Sequence, residues 1–450
     1  MGGSESNLSK TVARKEYFTP EERQSALKTL HKLAKGNENL AINTLEKHIA
    51  NYLSPEASSK LVGIVTKNRA SLSAKNPVQM VPCTSVVDSL GPLLKGSIEE
   101  HLYLTLTLAG GGQAGVDSDA IIRYLEMMMS SYLRLATSQK GYRSWHSGSG
   151  ENVQRICLAI LHDLLYKGAG PKETWKQLTP TAKFTYEEIE KFILSHTIFT
   201  TIETEVLRRC FDLSPPADHT SLLPLPSLVP KNFSGILSGS QVLLLNNSLP
   251  PPLRSEWRLL FSSTTHGSSF SILLKQIVGK GPTLVVVEDQ SGNKFGGFAS
   301  VSWQVRPQFQ GTAECFLFSL EPRAGIFLTT GYNTNYMYLN YLEKNTMPNG
   351  LGMGGREELF GLWVDYDFGK GKTSPSCTTF RSPPLSPNTE LDIAGLEVWG
   401  LGPEEVDSDE EEGARSKRSA LDKNPEARAM LDMMGKARVS EGLREDEKDE

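Results

Sequence analysis

The period of the hydrophobic pattern changes once along this chain, and a proline-rich stretch marks the place. Before Leu213, apolar residues recur every three or four positions, the spacing that buries one face of a helix. After Pro230 they come in short alternating or continuous runs separated by turn residues, the spacing of strands. Between them Pro215, Pro216, Pro224, Pro226 and Pro230 remove backbone donors, so neither pattern runs through. A chain of 450 residues also exceeds what one ordinary hydrophobic core holds. The expected class is therefore α+β and multidomain, helices first and sheet second.

In the first half, Thr19-Pro20-Glu21-Glu22 supplies a helix cap, a proline for the first turn and carboxylates for the positive end of the dipole. Leu27, Leu30, Leu33 and Ala34 follow at helical spacing. A polar break at Lys35–Asn39 leads to a second helix carrying Leu45, Ile49 and Leu53. Another helix pair brackets Gly110-Gly111-Gly112, with Ile121, Ile122, Leu125 and Met129 beyond it. A third brackets Leu178-Thr179-Pro180, with Ile189, Phe192 and Ile193 after the break. Repeated helix–loop–helix units predict an EF-hand-like, all-helical region over 19–212.

Its loops lack the calcium chemistry. With Val116 as the apolar eighth position, Ala109, Gly111, Gln113 and Ala120 fall where carboxylates are needed. With Phe184 in that role, Gln177, Thr179 and Thr181 fall there, and only Glu188 fits. The expectation is a scaffold or partner surface without metal.

Beyond the prolines, Thr283–Glu288, Asp289–Gly292 and Lys294–Val301 read as strand, turn and strand. Glu314–Ser319, Leu359–Asp365 and Gly395–Gly400 are further strands, and Ser269–Ile277 is the main helical interruption. The order of these residues resembles the TLDc domain. Gly267-Ser-Ser-Phe270 with Leu273 and Lys275 is similar to its helix entry. Asp289, Gly292 and Phe295-Gly-Gly-Phe298 are similar to its central hairpin, and Phe316-Leu-Phe318 to the next core strand. Gly352-Met-Gly-Gly355, Gly361-Leu-Trp363, Cys377-Thr-Thr-Phe380 and Leu396-Glu-Val-Trp-Gly400 complete the series in family order. The resemblance implies a β-sandwich with peripheral helices over 235–402. With the helical half and Gly2 added, the whole chain is similar to the mTOR-associated branch of that family. This implies V-ATPase and mTOR complex components as partners, lysosomal growth signalling and resistance to oxidative stress.

Other chemistry is weakly supported. Gly350-Leu-Gly352-Met-Gly-Gly355 has the spacing of a dinucleotide fingerprint, but Leu359–Asp365 follows too soon for the required helix. It reads as a glycine turn between strands. Asp365 and Asp367 share a strand face, as a solvated strand end also would. Cys83, Cys157, Cys210, Cys315 and Cys377 are scattered and never in a CxxC pair, which fits a reducing compartment better than a disulfide framework. Cys315 and Cys377 have no basic neighbour in sequence and read as buried and inert. Trp257, Trp303, Trp363 and Trp399 read as core. A net charge of -5 without a clustered basic face argues against nucleic acid. No catalytic residue and no cofactor is expected.

The two ends carry the expected contacts. Met1-Gly2-Gly3-Ser4-Glu5-Ser6 fits the myristoylation pattern, placing a lipid on Gly2 within a flexible segment 1–18. No run approaches the roughly 18 apolar residues of a membrane span, and the N-terminus lacks the apolar core of a signal peptide. Since one myristoyl chain holds membranes only marginally, a second anchor is needed. From Leu401 the chain has 16 acidic and 9 basic residues, with an acidic linker over 403–423. Asn424-Pro425-Glu426 then starts a helix over 424–438, before a disordered tail 439–450. Ala427, Met430, Leu431 and Met434 form one stripe on that helix, suited to an adaptable partner groove.

The leading expectation is a membrane-recruited, non-enzymatic adaptor on the cytoplasmic face of lysosomes, its domains joined by a linker over 213–234. Two alternatives stay open. One is a hydrolase or redox enzyme built on the β module; the other is a calcium-responsive sensor built on the helices.

Overall fold

The computed structural model describes residues 17–66, 79–112, 115–146, 148–166, 183–213, 221–341, 347–356 and 359–403. All of these lie in one compact unit that ends at Pro403.

The first helix, Pro20–Leu33, begins where its signals stand. Thr19 Oγ1 accepts from the Glu22 N–H at 3.2 Å, and Glu22 Oε2 accepts from the Thr19 N–H at 2.9 Å. The helices that follow are tied in pairs through their loops. Asn39–Ala41 pairs antiparallel with Met80–Pro82, placing Leu40 opposite Val81 and joining Ile42–Ile49 to Cys83–Lys95. Val116–Asp117 pairs with Lys183–Phe184 in the same way, joining Ser118–Thr137 to Tyr186–Ser195. Val116 and Phe184, the two apolar loop residues used to align the calcium positions, face each other across that ladder.

The β module is largely antiparallel and folds into two layers. The front sheet runs Gly325–Leu328, Phe316–Glu321, Lys294–Ala299, Thr283–Asp289, then the C-terminal part of Glu390–Leu401, then Glu256–Ser262. The long Glu390–Leu401 strand crosses between layers, its first residues pairing with Lys370–Thr373. From there the rear sheet continues through Leu359–Asp365, Gly350–Arg356, Met337–Asn340 and Arg306–Gln310.

Alternation along the Thr283–Asp289 strand explains the layering. Val285 and Val287 enter the core between the sheets, with Leu317, Leu351, Met353, Leu362 and Val398. Leu284 and Val286 point the other way, into the core shared with the helical half. A strand buried on both faces reads as a continuous apolar run, which is why Leu-Val-Val-Val lacks a polar side. At Gly296 a Cβ would meet the Val285 carbonyl oxygen at 1.9 Å, so the two central strands approach only because no side chain stands there.

The glycine run departs from its expected role as a turn. Gly350–Arg356 is a strand, paired on both sides. Its glycines make room for rings: a Cβ on Gly350 would meet Trp363 at 2.5 Å, and one on Gly352 would meet Phe360 at 2.6 Å. Phe360 and Trp363 stack at 4.6 Å between ring centres, over a backbone that carries no side chains beneath them.

Within the segment between the halves, three residues join the sheet. Leu225–Ser227 pairs in parallel with Glu256–Arg258. Gly239–Ser248 follows as a helix buried almost all round, lying between the helical half and the front sheet.

Candidate functional site

The sequence-derived contact residues Gly2, Ala427, Met430, Leu431 and Met434 lie outside the described residues. So do Gln113, Gln177, Thr179 and Thr181 of the candidate calcium loops. Among the described residues no group of three His, Cys, Asp or Glu side chains is placed to hold a metal. Ala109, Gly111 and Ala120 offer no carboxylate. We expect the melting temperature of the full chain to be the same with and without millimolar calcium. A calcium-dependent rise would contradict this, because a ligand that binds only the native state must stabilise it.

What the structure does assemble is a seam between the helical half and the front sheet. Trp145, in the loop after the Ser118–Thr137 helix, packs at 4.9 Å from Trp399 and at 5.8 Å from Trp257, ring centre to ring centre. Its Nε1 donates to the Pro224 carbonyl at 2.8 Å. Trp257 Nε1 donates to Asn246 Oδ1 at 3.1 Å, and Asn246 Nδ2 holds the Leu222 and Arg254 carbonyls at 3.1 Å each. Three indoles are thus buried with every polar end partnered, since Trp399 Nε1 donates to Glu397 Oε2 at 3.1 Å. The Gly239 N–H donates to the His146 carbonyl at 2.7 Å, stitching the same loop to the start of the buried helix.

Sequence reading placed Trp257 and Trp399 in the core, where they are, but did not single out Trp145. The available signal was its setting. A tryptophan in a stretch rich in Gly, Ser and His has no helix face of its own to serve, so it must pack on another element.

Two buried carboxylates went equally unnoticed. Glu203, on the Thr197–Cys210 helix, is 1% exposed. It accepts from Thr105 Oγ1 at 2.9 Å and from the Tyr124 hydroxyl. Burial pushes its carboxyl up to about 7 against the pull of those two hydroxyls. Glu397 on the seam is likewise pushed up to about 7 by burial.

Asp289, Asp365 and Asp163 have structural partners. Asp289 accepts from the Ser291 and Asn293 N–H groups, from Asn293 Nδ2 and from Ser386 Oγ, all between 2.8 and 2.9 Å, which fixes the central hairpin. Asp365 ends its strand and accepts from the Asp367 N–H at 3.0 Å, the arrangement of a strand end. Asp163 lies 3.2 Å from His162 Nδ1 and 3.3 Å from His196 Nε2. Ser195 Oγ lies 3.1 Å from His196 Nδ1 and donates to the Lys191 carbonyl at 2.8 Å, at the end of the Tyr186–Ser195 helix. All five cysteines are free and buried, and burial pushes the thiols of Cys315 and Cys377 up, as expected for inert groups.

Comparison with known proteins places this geometry. The TLDc domain family matches residues 230–402. The chain is 35% identical over 467 residues to MTOR-associated protein MEAK7 of Mus musculus, covering all of both chains. It is 33% identical over 471 residues to the Homo sapiens protein of that name, again end to end. Nuclear receptor coactivator 7 of Homo sapiens is 30% identical over 179 residues, which are 39% of this chain and 18% of the coactivator. Neither name is that of an enzyme.

Proposed function

The chain belongs to the TLDc-domain family of MTOR-associated proteins, and from that membership we propose a non-enzymatic adaptor that links mTOR signalling to the V-ATPase at the lysosomal surface. The observation that carries the reading is the end-to-end match to relatives named for association with mTOR, which spans the helical half and the β module together. The seam supports it: the two halves share one core, so a partner meets them as a single surface. Protection against oxidative stress, which the family resemblance implies, is read here as acting through the same recruitment.

Among the described residues no helix is long and apolar enough to cross a membrane. Attachment then rests on a lipid at Gly2 together with a protein partner, because a single myristoyl chain binds membranes only with an association constant on the order of 10⁴ M⁻¹. The stripe Ala427, Met430, Leu431 and Met434 is the proposed second contact.

Mass spectrometry of the N-terminal peptide from cells tests the anchor, alongside recovery of mTOR components with the tagged full chain. We expect myristate on Gly2. Gly2→Ala should lower membrane recovery several-fold without changing the melting temperature. An unmodified or acetylated Gly2 sinks the lipid anchor, and a capture free of mTOR components sinks the adaptor reading.

A further inference from the structure

The Leu225–Ser227 edge of the front sheet is apolar, and the exposed charges beside it are positive. Leu225 and Leu228 are 43% and 68% exposed, with Pro226 and Val229 half-buried next to them. Leu228 is held outward by its backbone: its φ of 56° is left-handed, a conformation that a bulky residue rarely adopts, so its surroundings impose it. The Lys140–Tyr142 turn backs onto the same edge, where a Cβ on Gly141 would meet Leu225 Cδ1 at 3.1 Å. Together the stretches 138–146 and 221–232 hold Lys140, Arg143 and Lys231 and no Asp or Glu. All three cations are exposed, and among the described residues none has a carboxylate partner. On the adjoining strand and the turn before it, Arg254 is a further, half-buried cation, and Glu256 stands opposite Leu225. A second protein strand is a poor occupant of this edge. Leu225 uses its N–H on the Ser255 carbonyl at 2.9 Å and Pro226 has none, so neither residue offers a donor outward. Exposed leucines beside unpaired cations suit the headgroup layer of an anionic membrane instead, where apolar side chains enter and cations meet phosphate and carboxylate groups.

We propose that this edge, residues 224–231 with the Lys140–Tyr142 turn and Arg143, is a contact surface for anionic lipid. Leu225 and Leu228 enter the interface, while Lys140, Arg143 and Lys231 lie over the headgroups. The contact needs neither a lipid on Gly2 nor the C-terminal stripe, and it adds to both. It also sets an orientation, because the edge belongs to the sheet that packs on the helical half and turns both halves toward the bilayer together. Salt weakens it, since exposed charges are screened.

The test is co-sedimentation of the full chain carrying Gly2→Ala, which has no lipid acceptor, with vesicles of phosphatidylcholine alone or mixed with phosphatidylserine. We expect binding only where phosphatidylserine is present. Adding Lys140→Gln and Lys231→Gln together should weaken it roughly tenfold or more, as two cations leave the surface. Leu228→Ser should weaken it several-fold at an unchanged melting temperature, because the side chain packs in no core. Leu328→Ser is the control: this leucine is 64% exposed on the opposite edge strand of the front sheet, and its loss should leave binding in place. A Gly2→Ala chain that ignores phosphatidylserine vesicles overturns the proposal, as does equal binding to both vesicles. Undiminished binding in the lysine pair or in Leu228→Ser overturns it too, as does a loss in Leu328→Ser as large as that in Leu228→Ser. If Leu228→Ser lowers the melting temperature, the lysine pair decides. None of these outcomes depends on whether Gly2 carries myristate or whether mTOR components are captured, so this surface and the adaptor reading fail separately.

Discussion

Trp145→Ala should turn one unfolding transition into two. Trp145 is 2% exposed and fills the space between Trp257 and Trp399. Its removal deletes a large buried surface and leaves the Pro224 carbonyl without its donor at 2.8 Å. Truncating a buried aromatic of this kind costs about 3–5 kcal/mol, because the surroundings collapse only partly into the space. The loss falls on the contacts that join the helical half to the front sheet, while the core between the two sheets is untouched. In urea, circular dichroism in the far ultraviolet should then report the helices melting ahead of the near-ultraviolet signal of the sheet. In the wild type the two signals should coincide, the mark of a single cooperative unit. Coincident transitions in the variant, with an unchanged midpoint, would show that the seam contributes little.

The second large effect is on pH. Glu203 has only hydroxyl donors, and burial raises its carboxyl from 4.5 to about 7. The folded state thus binds a proton that the unfolded chain has released. The associated stabilisation is complete below 4.5 and fades as pH rises through about 7. A shift of this size corresponds to something on the order of 3 kcal/mol. Stability should fall between about pH 5 and 8, and Glu203→Gln should flatten much of that slope by keeping a neutral group of the same shape. The variant should be about 2–3 kcal/mol more stable than wild type at pH 8 and nearly equal to it at pH 5. Parallel slopes in the two proteins would mean that Glu203 keeps its charge in the folded state.

Features fixed by near neighbours were legible in the sequence. Thr19 to Glu22 form a reciprocal cap because all the partners lie within one turn. The Leu359–Asp365 strand has the expected bounds, since its apolar run ends at the Asp365-Tyr366-Asp367 turn. The Phe270–Ile277 helix likewise sits where the Ser269–Ile277 pattern put it. Features fixed by distant partners were not legible. The Gly350–Arg356 run looks like a turn because glycine is the usual turn residue, yet here it is demanded by Trp363 and Phe360 on the adjacent strand. The role of Trp145 depends on Trp257 and Trp399, which reach it only through the folded sheet. Glu397 reads as one acid in a strand; its burial beside Glu288 and Lys294 follows from register. The Thr283–Glu288 run was legible as a strand, but not that both of its faces are buried or what covers each.

The account rests most heavily on the chain acting by recruitment, with the stripe at the C-terminal end as its second contact. Burying Met430, Leu431 and Met434 in a partner groove would contribute roughly 1.5–3 kcal/mol for each large side chain before ordering costs, enough to matter if the proposed single lipid chain is the other anchor. The most direct measurement is capture of the V-ATPase from lysosomal membranes by the tagged full chain and by a Met430→Asp, Leu431→Asp variant, with the melting temperature of each recorded. The account predicts that the variant loses most of the captured pump while melting at the wild-type temperature. Undiminished capture by the variant, or a wild-type chain that captures no pump, would contradict it.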